Sequence, residues 1–256
     1  VFIYEFDDTT LFEWRQKKGA YIPNDYKRAT MDTYDGANFG QSVDVDGDLI
    51  VVGAPEENTN RGSITIFRRD NTSNEWVELK RMKPDDKLCG AEFFGYTVSI
   101  YEDVVAASAD CDINIVVYKA QRDADSGISI IPFQQLEYND PSYGAVSSIA
   151  MSWNTLVYST VSGGLFFYER DNRDKRFFES QVMRFDVSSS LYEYPLTMDA
   201  NMLVLAVMND VFIYTHDAAI KQWRQESLVL NSSGDYAGYV GASVSLSDGQ
   251  LLVADR

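Results

Sequence analysis

A short strand pattern that returns five times is the feature that most constrains the fold of this 256-residue chain. Each copy is a mostly apolar run that ends in an aromatic residue, and the copies occupy 1–4, 64–67, 115–118, 165–168 and 211–214. They follow one another at intervals of about fifty residues, a period that is typical of propellers and solenoids. The interval from the last copy round to the first is similar. The chain therefore contains a whole number of repeats.

Each repeat divides into four predicted strands. In the first complete repeat, an alternating stretch from Phe39 to Val45 leads into a turn at 46–48, and an apolar run follows at 49–54. An Asp-Gly turn between apolar runs is a strong hairpin signal. The sequence predicts an all-β fold, a β-propeller of five four-stranded blades in a single domain over 1–256, and a cut from a larger array of blades is the alternative. The blades are expected at about 19–82, 83–138, 139–183 and 184–230, with a fifth formed by 231–256 plus 1–18.

The two ends of the chain each hold half a repeat. Segments 243–246 and 251–254 read as inner strands without outer partners, whereas 1–6 and 12–18 read as outer strands without inner ones. We expect the N-terminal outer strands to pair with the C-terminal inner strands, because this pairing closes the ring and covers exposed sheet edges. Since the sequence opens inside a strand at Val1 without an initiating Met, we also expect it to be a piece of a longer chain.

The charge of the chain limits its partners. Lys and Arg number 22 against 39 Asp and Glu, which gives a formal net charge of −17. A nucleic acid backbone or an anionic membrane is held by clustered basic residues, so neither is expected as a partner. The sequence also has no apolar run of about 20 residues, the length that a membrane-spanning helix needs. We expect an acidic, solvated surface.

Two segments of the first repeat resemble a known repeat family. Residues 39–43 (FGQSV) and 53–55 (GAP) resemble the FG-GAP repeat, the blade of the integrin α-subunit propeller, and 94–98 (FGYTV) with 107–109 form a weaker copy. The resemblance implies an extracellular or cell-surface propeller that serves adhesion by contacting proteins or glycans, often with bound Ca²⁺. Family calcium sites use a long loop between the two inner strands. The corresponding turns here are short, so we expect no cofactor and no family-type calcium site.

The cysteines and two glycosylation sequons bear on the compartment. Cys89 and Cys111 flank the inner hairpin of the second repeat, so a disulfide between them is geometrically possible. The extracellular resemblance favours the disulfide, and two free thiols are the alternative. The sequons at 71–73 and 231–233 predict glycosylation of Asn71 and Asn231 in a secreted protein.

A partner surface is expected on the loop face that carries the cysteines. Long loops in compact domains are often functional, and aromatic residues are enriched at interfaces. A solvated acidic rim is the alternative for the charged residues. The candidate residues come from the long loop 19–38 and from acidic loops of the first two repeats: Tyr21, Asp25, Tyr26, Tyr34, Glu56, Glu57, Asp85, Asp86, Asp110 and Asp112.

These features favour a non-catalytic extracellular interaction module, either an adhesive domain or a unit of a surface assembly, that binds a protein or glycan. The single histidine, His216, has no Ser or Cys nucleophile pattern beside it. The alternative is a five-bladed propeller enzyme that cleaves glycans, which needs two carboxylates facing one pocket. The inner strands offer Asp44 as the clear acidic candidate. A third possibility is a purely structural repeat in a polymer.

Overall fold

The structure is a computed structural model, and it describes most of the chain from residue 37 onward. The described residues are 4–7, 13–16, 37–70, 72–84, 92–109, 114–122, 127–137, 141–185, 194–207, 210–230 and 240–255.

Nearly all of the regular structure in these residues is strand. Two strands lie near the N-terminus, β1 (Tyr4–Asp7) and β2 (Glu13–Gln16). Unit 1 contains β3 (Val43–Asp46), β4 (Leu49–Ala54), β5 (Ser63–Arg69) and β6 (Trp76–Met82). Unit 2 contains β7 (Val98–Tyr101), β8 (Val104–Ala109), β9 (Asn114–Arg122) and β10 (Ile128–Glu137).

The pattern continues towards the C-terminus. Unit 3 contains β11 (Val146–Ser152), β12 (Thr155–Thr160), β13 (Gly164–Arg170) and β14 (Phe177–Arg184). Unit 4 contains β15 (Leu196–Asp199), β16 (Met202–Val207), β17 (Asp210–Asp217) and β18 (Gln222–Leu230), and β19 (Val240–Ser247) and β20 (Gln250–Asp255) follow it. A short helical turn, α1 (Glu57–Asn60), and a 3₁₀ turn at Pro141–Tyr143 interrupt the strands.

The sheet topology confirms the predicted all-β class and the four-stranded repeat. Each of the four units is an antiparallel sheet whose strands pair in sequence order. Within the described residues, β1 and β2 form one two-stranded sheet, and β19 and β20 form another. This arrangement is consistent with a propeller and leaves room for five units.

The hydrophobic core lies between neighbouring units. Strands β4 and β8 are buried at every position, as expected for strands that are covered on both faces. One apolar cluster joins unit 1 to unit 2, a second joins unit 2 to unit 3, and a third joins unit 3 to unit 4. The first cluster contains Val51 and Ile100, the second Val104 and Ile149, and the third Val157 and Leu196.

Hydrogen bonds also join the innermost strands of successive units. Next to each inner turn, a side chain accepts a hydrogen bond from a backbone N–H of the following unit: Asp46 from Glu102, Tyr101 from Trp153, Ser152 from Ala200 (2.9 Å) and Asp199 from Asp248 (2.7 Å). A second set lies further from the turn: Asp44 from Ile100, Thr97 from Ile149, Ser148 from Leu196 and Thr197 from Leu246. We call these hydrogen bonds the inter-unit ladder.

The residues of the FG-GAP motif meet at the contact between units 1 and 2. The hydroxyl of Ser42 donates to the carbonyl of Gly95 at 3.0 Å, and Phe94 is completely buried. Gly53 lies against the same carbonyl, so closely that an added Cβ would stand 2.0 Å from its oxygen. The motif therefore holds two backbones together at a distance that only glycine permits.

This contact makes Gly53 a sensitive position. We expect Gly53→Ala to lower the free energy of unfolding by about 3 kcal/mol, because the new methyl group collides with backbone rather than with a flexible side chain. Urea denaturation measures the change. The control, Ser227→Thr, adds one methyl group at an exposed position of β18 and should change the free energy by less than about 0.5 kcal/mol. Equal stability of Gly53→Ala and the wild type would contradict the contact.

Candidate functional site

An open cleft of about 210 Å³ lies between units 3 and 4, at the end where the inner turns are found. We call it the Trp cleft. Its lining residues come from the β11–β12 turn and the start of β12, from the β15–β16 turn, and from the hairpin of β17 and β18. Its lining residues are Trp153, Asn154, Thr155, Ala200, Asn201, His216 and Trp223.

The turn before β12 presents an exposed indole. Trp153 has a φ of +53° and its side chain is 67 % exposed. A positive φ is costly for a bulky residue. Glu102, Ala200 and Asp248 hold the same place in other turns and also have positive φ, so the backbone shape belongs to the repeat. What distinguishes this turn is the large aromatic surface that it offers beside a cleft.

A histidine and a second tryptophan form the floor of the cleft. His216 and Trp223 are cross-strand partners on β17 and β18, and their ring centroids are 5.4 Å apart. Trp223 is buried and stacks on Phe167 of unit 3 at 5.4 Å. The aromatic neighbours therefore fix the position of both side chains.

Two nitrogens at this floor are buried without a hydrogen bond to any described residue. They are Nε2 of His216 and Nε1 of Trp223. Nε2 of His216 lies 3.7 Å from Oε1 of Glu169 on β13, which is within ion-pair range when the ring is protonated. A buried polar group without a partner costs about 1–3 kcal/mol, and such groups are found where a structure serves a ligand or a reaction.

This arrangement suits proton transfer. A carboxylate that faces one ring nitrogen fixes the orientation of the ring, and the other nitrogen is then free to take up or release a proton. Imidazole is the side chain that most often acts as a general base near neutral pH. The exposed indole of Trp153 provides an apolar face for a ring-shaped ligand.

A second cavity, of about 450 Å³, is lined by charged residues. Their ion pairs link unit 1 to unit 2 and unit 2 to unit 3. Arg122 holds both oxygens of Asp48 at 2.6 and 3.1 Å, and Asp103 pairs with Arg170 at 3.3 Å and with Lys119 at 3.5 Å. Hydrogen bonding from Arg122 lowers the pKa of Asp48 below its usual range. Each carboxylate is thus already paired with a cation, and we interpret the cluster as structural.

The structure corrects the role considered for Asp44. The sequence offered this carboxylate as an acidic candidate for the central channel, but it belongs to the inter-unit ladder. Its Oδ2 accepts hydrogen bonds from the Ile100 N–H at 2.8 Å and from the Ser99 hydroxyl at 2.9 Å. Burial raises the pKa of Asp44, although these hydrogen bonds act in the opposite direction. Asp44 therefore joins two units rather than facing a substrate.

Of the predicted partner residues, two lie in the described part of the chain. Glu56 is exposed. Glu57 is buried, and its carboxylate binds Arg81, Lys83 at 3.6 Å and the Ser63 hydroxyl. The others lie outside the described residues and stay predictions: Tyr21, Asp25, Tyr26, Tyr34, Asp85, Asp86, Asp110 and Asp112. The same holds for Cys89, Cys111, Asn71 and Asn231.

Sequence reasoning noticed His216 but missed its neighbours. Glu169, Trp153 and Trp223 come from three different strands or turns, and none forms a local motif with the histidine. A comparison of equivalent positions among the repeats could have pointed to this site. Arg69 with Trp76 and Arg170 with Phe177 hold the positions of His216 with Trp223 in units 1 and 3. Unit 4 thus replaces a cation that is always charged with a titratable ring.

Two further properties of the described residues concern metals and membranes. They contain no group of three or more His, Cys, Asp and Glu side chains that could hold a metal ion. None of their helices has the length and apolar character that crossing a bilayer requires.

The four-stranded antiparallel units define an all-β protein of the propeller type, and comparison with known families agrees. Residues 29–67 match the FG-GAP repeat, which confirms the resemblance seen at 39–43 and 53–55. A comparison with curated protein sequences gave no match.

Several solved structures share the fold at low sequence identity. A protein from Lactobacillus plantarum superimposes with a TM-score of 0.61 at 16% identity, over 85% of this chain and 64% of its own. The periplasmic gluconolactonase of Pseudomonas aeruginosa gives 0.58 at 16%, over 85% and 65%. A candidate 6-phosphogluconolactonase from Bacteroides uniformis gives 0.66 at 11%, over 100% and 71%. This chain spans just under two thirds of the length of the first two.

These neighbours overturn the expected function. The sequence favoured a non-catalytic interaction module and no enzyme, by analogy with integrin blades. Solved structures that share the fold are instead named as lactonases, which contradicts the prediction of a non-catalytic module.

The ladder position of Asp44 predicts an unusual pH dependence. A carboxyl whose pKa is raised by folding favours the folded state at low pH, and this contribution is lost as pH rises from about 3.8 through the raised pKa. We therefore expect Asp44→Asn to gain stability relative to the wild type as pH increases. Thermal unfolding between pH 3.5 and 7 measures the difference.

Asp48→Asn is the matched control, because Arg122 lowers the pKa of Asp48. Here the wild type should gain relative to the variant as pH rises, since a depressed pKa stabilises the fold above it. A difference between Asp44→Asn and the wild type that does not vary with pH would contradict the burial of the charged carboxylate.

Proposed function

We propose that this chain is the propeller body of a hydrolytic enzyme for sugar-derived substrates, and that the Trp cleft binds the substrate. The observation that carries the proposal is the His216–Glu169 pair, whose imidazole lines the floor of a cleft beside the exposed indole of Trp153. The names of the lactonases that share the fold support the substrate class. A sugar lactone is a flat-faced ring with polar substituents, which fits the indole of Trp153 and the amides of Asn154 and Asn201.

A lactone suits the cleft better than a glycosidic bond does. Glycoside cleavage calls for two carboxyl groups on either side of the bond. The described cleft brings one carboxylate, that of Glu169, to one imidazole. In lactone hydrolysis, His216 takes a proton from water as the oxygen attacks the carbonyl carbon, the ring C–O bond breaks, and the proton passes to the leaving alkoxide. The product is the open hydroxy acid, and no second carboxyl is required.

We also propose that the units form a five-bladed ring within a single domain over 1–256. The two-stranded sheets β1–β2 and β19–β20 supply the outer and inner halves of a fifth blade, so their pairing would complete it. Four-stranded sheets in units 1 to 4 support this division. The blade bounds at 19–82, 83–138, 139–183 and 184–230 follow from the same repeat.

An extracellular location, the Cys89–Cys111 disulfide and glycosylation at Asn71 and Asn231 remain proposals that one measurement tests together. We expect the intact mass of the secreted protein to fall on enzymatic deglycosylation and to rise by about two hydrogens on reduction. The physical reason is that a disulfide persists in an oxidising compartment, where sequons are also modified. A mass equal to that of the unmodified chain, with two titratable thiols, would reject the disulfide and the glycosylation and, with them, the support for an extracellular location.

The enzyme proposal is tested by lactone hydrolysis. We expect His216→Ala to reduce kcat/KM for glucono-1,5-lactone by about 10²- to 10⁴-fold, the range for loss of a general base. Trp153→Ala should mainly raise KM, because the exposed indole binds the ring. Acid release in a weakly buffered assay measures both, and circular dichroism checks the fold.

Val77→Ala is the control, since Val77 is an exposed apolar residue on β6 of unit 1, outside the cleft between units 3 and 4. It should leave both constants unchanged. An aryl glycoside serves as the second substrate. Hydrolysis of the glycoside but not of the lactone would show that the substrate is a glycan. Equal rates for the wild type and His216→Ala would show that the cleft takes no part in the reaction.

A further inference from the structure

We propose that a cleft between the outer strands of units 1 and 2 binds an anionic sugar, which is a sugar ring that carries a carboxylate or a phosphate. The cleft lies between the end of β6 in unit 1 and strands β9 and β10 in unit 2, and we call it the outer cleft. Its volume is about 620 Å³, within the range of about 300–1,000 Å³ that is usual for small-molecule sites. The proposal concerns a site other than the Trp cleft and does not depend on the enzyme activity.

Three basic residues form one wall of the outer cleft. Lys80, Arg81 and Lys83 come from the end of β6 and the residue that follows it. Glu57 binds Arg81 and lies 3.6 Å from Lys83, so it offsets one of the three charges. Of the described residues that line the outer cleft, none is Asp or Glu. The described wall is therefore positive on a chain whose net charge is −17, and a positive cleft raises the local concentration of anions.

A neutral amide clamp joins the outer strands at the two following interfaces. The side-chain amide of a glutamine donates to the backbone carbonyl of one residue in the next unit and accepts from the N–H of the same residue. The pairs are Gln134 with Phe177, at 2.7 and 2.8 Å, and Gln181 with Trp223, at 3.0 and 2.8 Å. This clamp satisfies both backbone groups without a charge, so the repeat itself does not require a cation at this position.

Lys80 holds the glutamine position at the interface between units 1 and 2. It pairs with the third residue of the repeated strand pattern, as Gln134 and Gln181 do in their units. Its ammonium donates a hydrogen bond to the Ile130 carbonyl at 2.7 Å, and the residue is exposed. Because an ammonium has three donors, this contact leaves donors for a ligand. The exchange of an amide for a lysine thus adds a charge to the cleft where the fold needs none.

The opposite wall of the outer cleft offers an aromatic ring and an amide. Phe133 is the bulged residue of β10, at the point where the pairing with β9 shifts, and a bulge re-aims a side chain. Lys119, which does not line the cleft, has its ammonium 6.0 Å from the ring centroid and helps to orient the ring. Gln135 is exposed beside it, and Tyr118 is buried below. A sugar ring packs its C–H groups on an aromatic ring and bonds its hydroxyls to amides, whereas its anionic group would meet the basic wall.

Titration calorimetry with charged and neutral sugars tests the assignment. The probes are digalacturonic acid, glucose 6-phosphate and neutral lactose. We expect an anionic sugar to bind at least about tenfold more tightly than lactose, and its affinity to fall as NaCl is raised from about 20 to 300 mM, because salt screens exposed charges. Binding of digalacturonic acid would assign the carboxylate, and binding of glucose 6-phosphate would assign the phosphate. Equal binding of lactose, or no binding of either anion, would overturn the proposal.

The variant Lys80→Gln separates the charge from the fold. It introduces the side chain that the clamp uses at the next two interfaces, so Tm should stay within about 2 °C of the wild type. The affinity for the anionic sugar should fall by about fivefold, as expected for the loss of one exposed charge contact. Combining Lys80→Gln with Lys83→Gln should weaken binding by about tenfold or more.

Two controls locate the binding. Lys221→Gln removes the same charge from an exposed position in the β17–β18 turn of unit 4, and His216→Ala alters the Trp cleft. Both should leave the affinity for the anionic sugar unchanged. An equal loss of affinity in Lys80→Gln and Lys221→Gln would attribute binding to net charge and reject the outer cleft. A loss in His216→Ala but not in Lys80→Gln would assign the anion to the Trp cleft and also reject the proposal.

Discussion

The inter-unit ladder is the constraint on which the rest of this structure depends. A sheet of four strands has two faces to bury, and apolar packing alone does not fix how one sheet sits on the next. Hydrogen bonds have direction, and here a side chain of one innermost strand binds a backbone N–H of the following one at two levels. The register between units is thereby set. The raised pKa of Asp44 reflects the cost of placing a carboxylate in that position.

Local pattern was enough to predict the units but not their contacts. Strand β4 was predicted at 49–54 and is found at Leu49–Ala54, because a continuous apolar run between turn residues has few other solutions. Asp44 was misjudged because its partner, Ile100, is in the next repeat, and no sequence pattern links an inner acidic residue to a distant N–H. The Trp cleft was missed for the same reason. His216, Glu169 and Trp153 meet only after two sheets have packed together.

The FG-GAP motif explains why resemblance predicted the fold well and the function badly. Gly53, Phe94 and Gly95 form the close contact between units 1 and 2, where an added Cβ on Gly53 would collide with the Gly95 carbonyl. The motif is therefore a requirement of packing, and proteins with different activities can share it. The cleft uses other residues, at the opposite end of the sheets, where the repeat tolerates Trp153 in one turn and Ala200 in the next.

The recurrence of the inter-unit ladder at successive interfaces has an evolutionary consequence. Since the acceptor and donor beside the inner turn hold equivalent positions at each described interface, duplication or deletion of a whole repeat would leave the remaining interfaces intact. Genes of this kind can lengthen or shorten by complete modules without inventing new contacts. Duplication of repeats would give larger proteins of the same architecture. The sequence of any one inner turn could still change and form a binding surface.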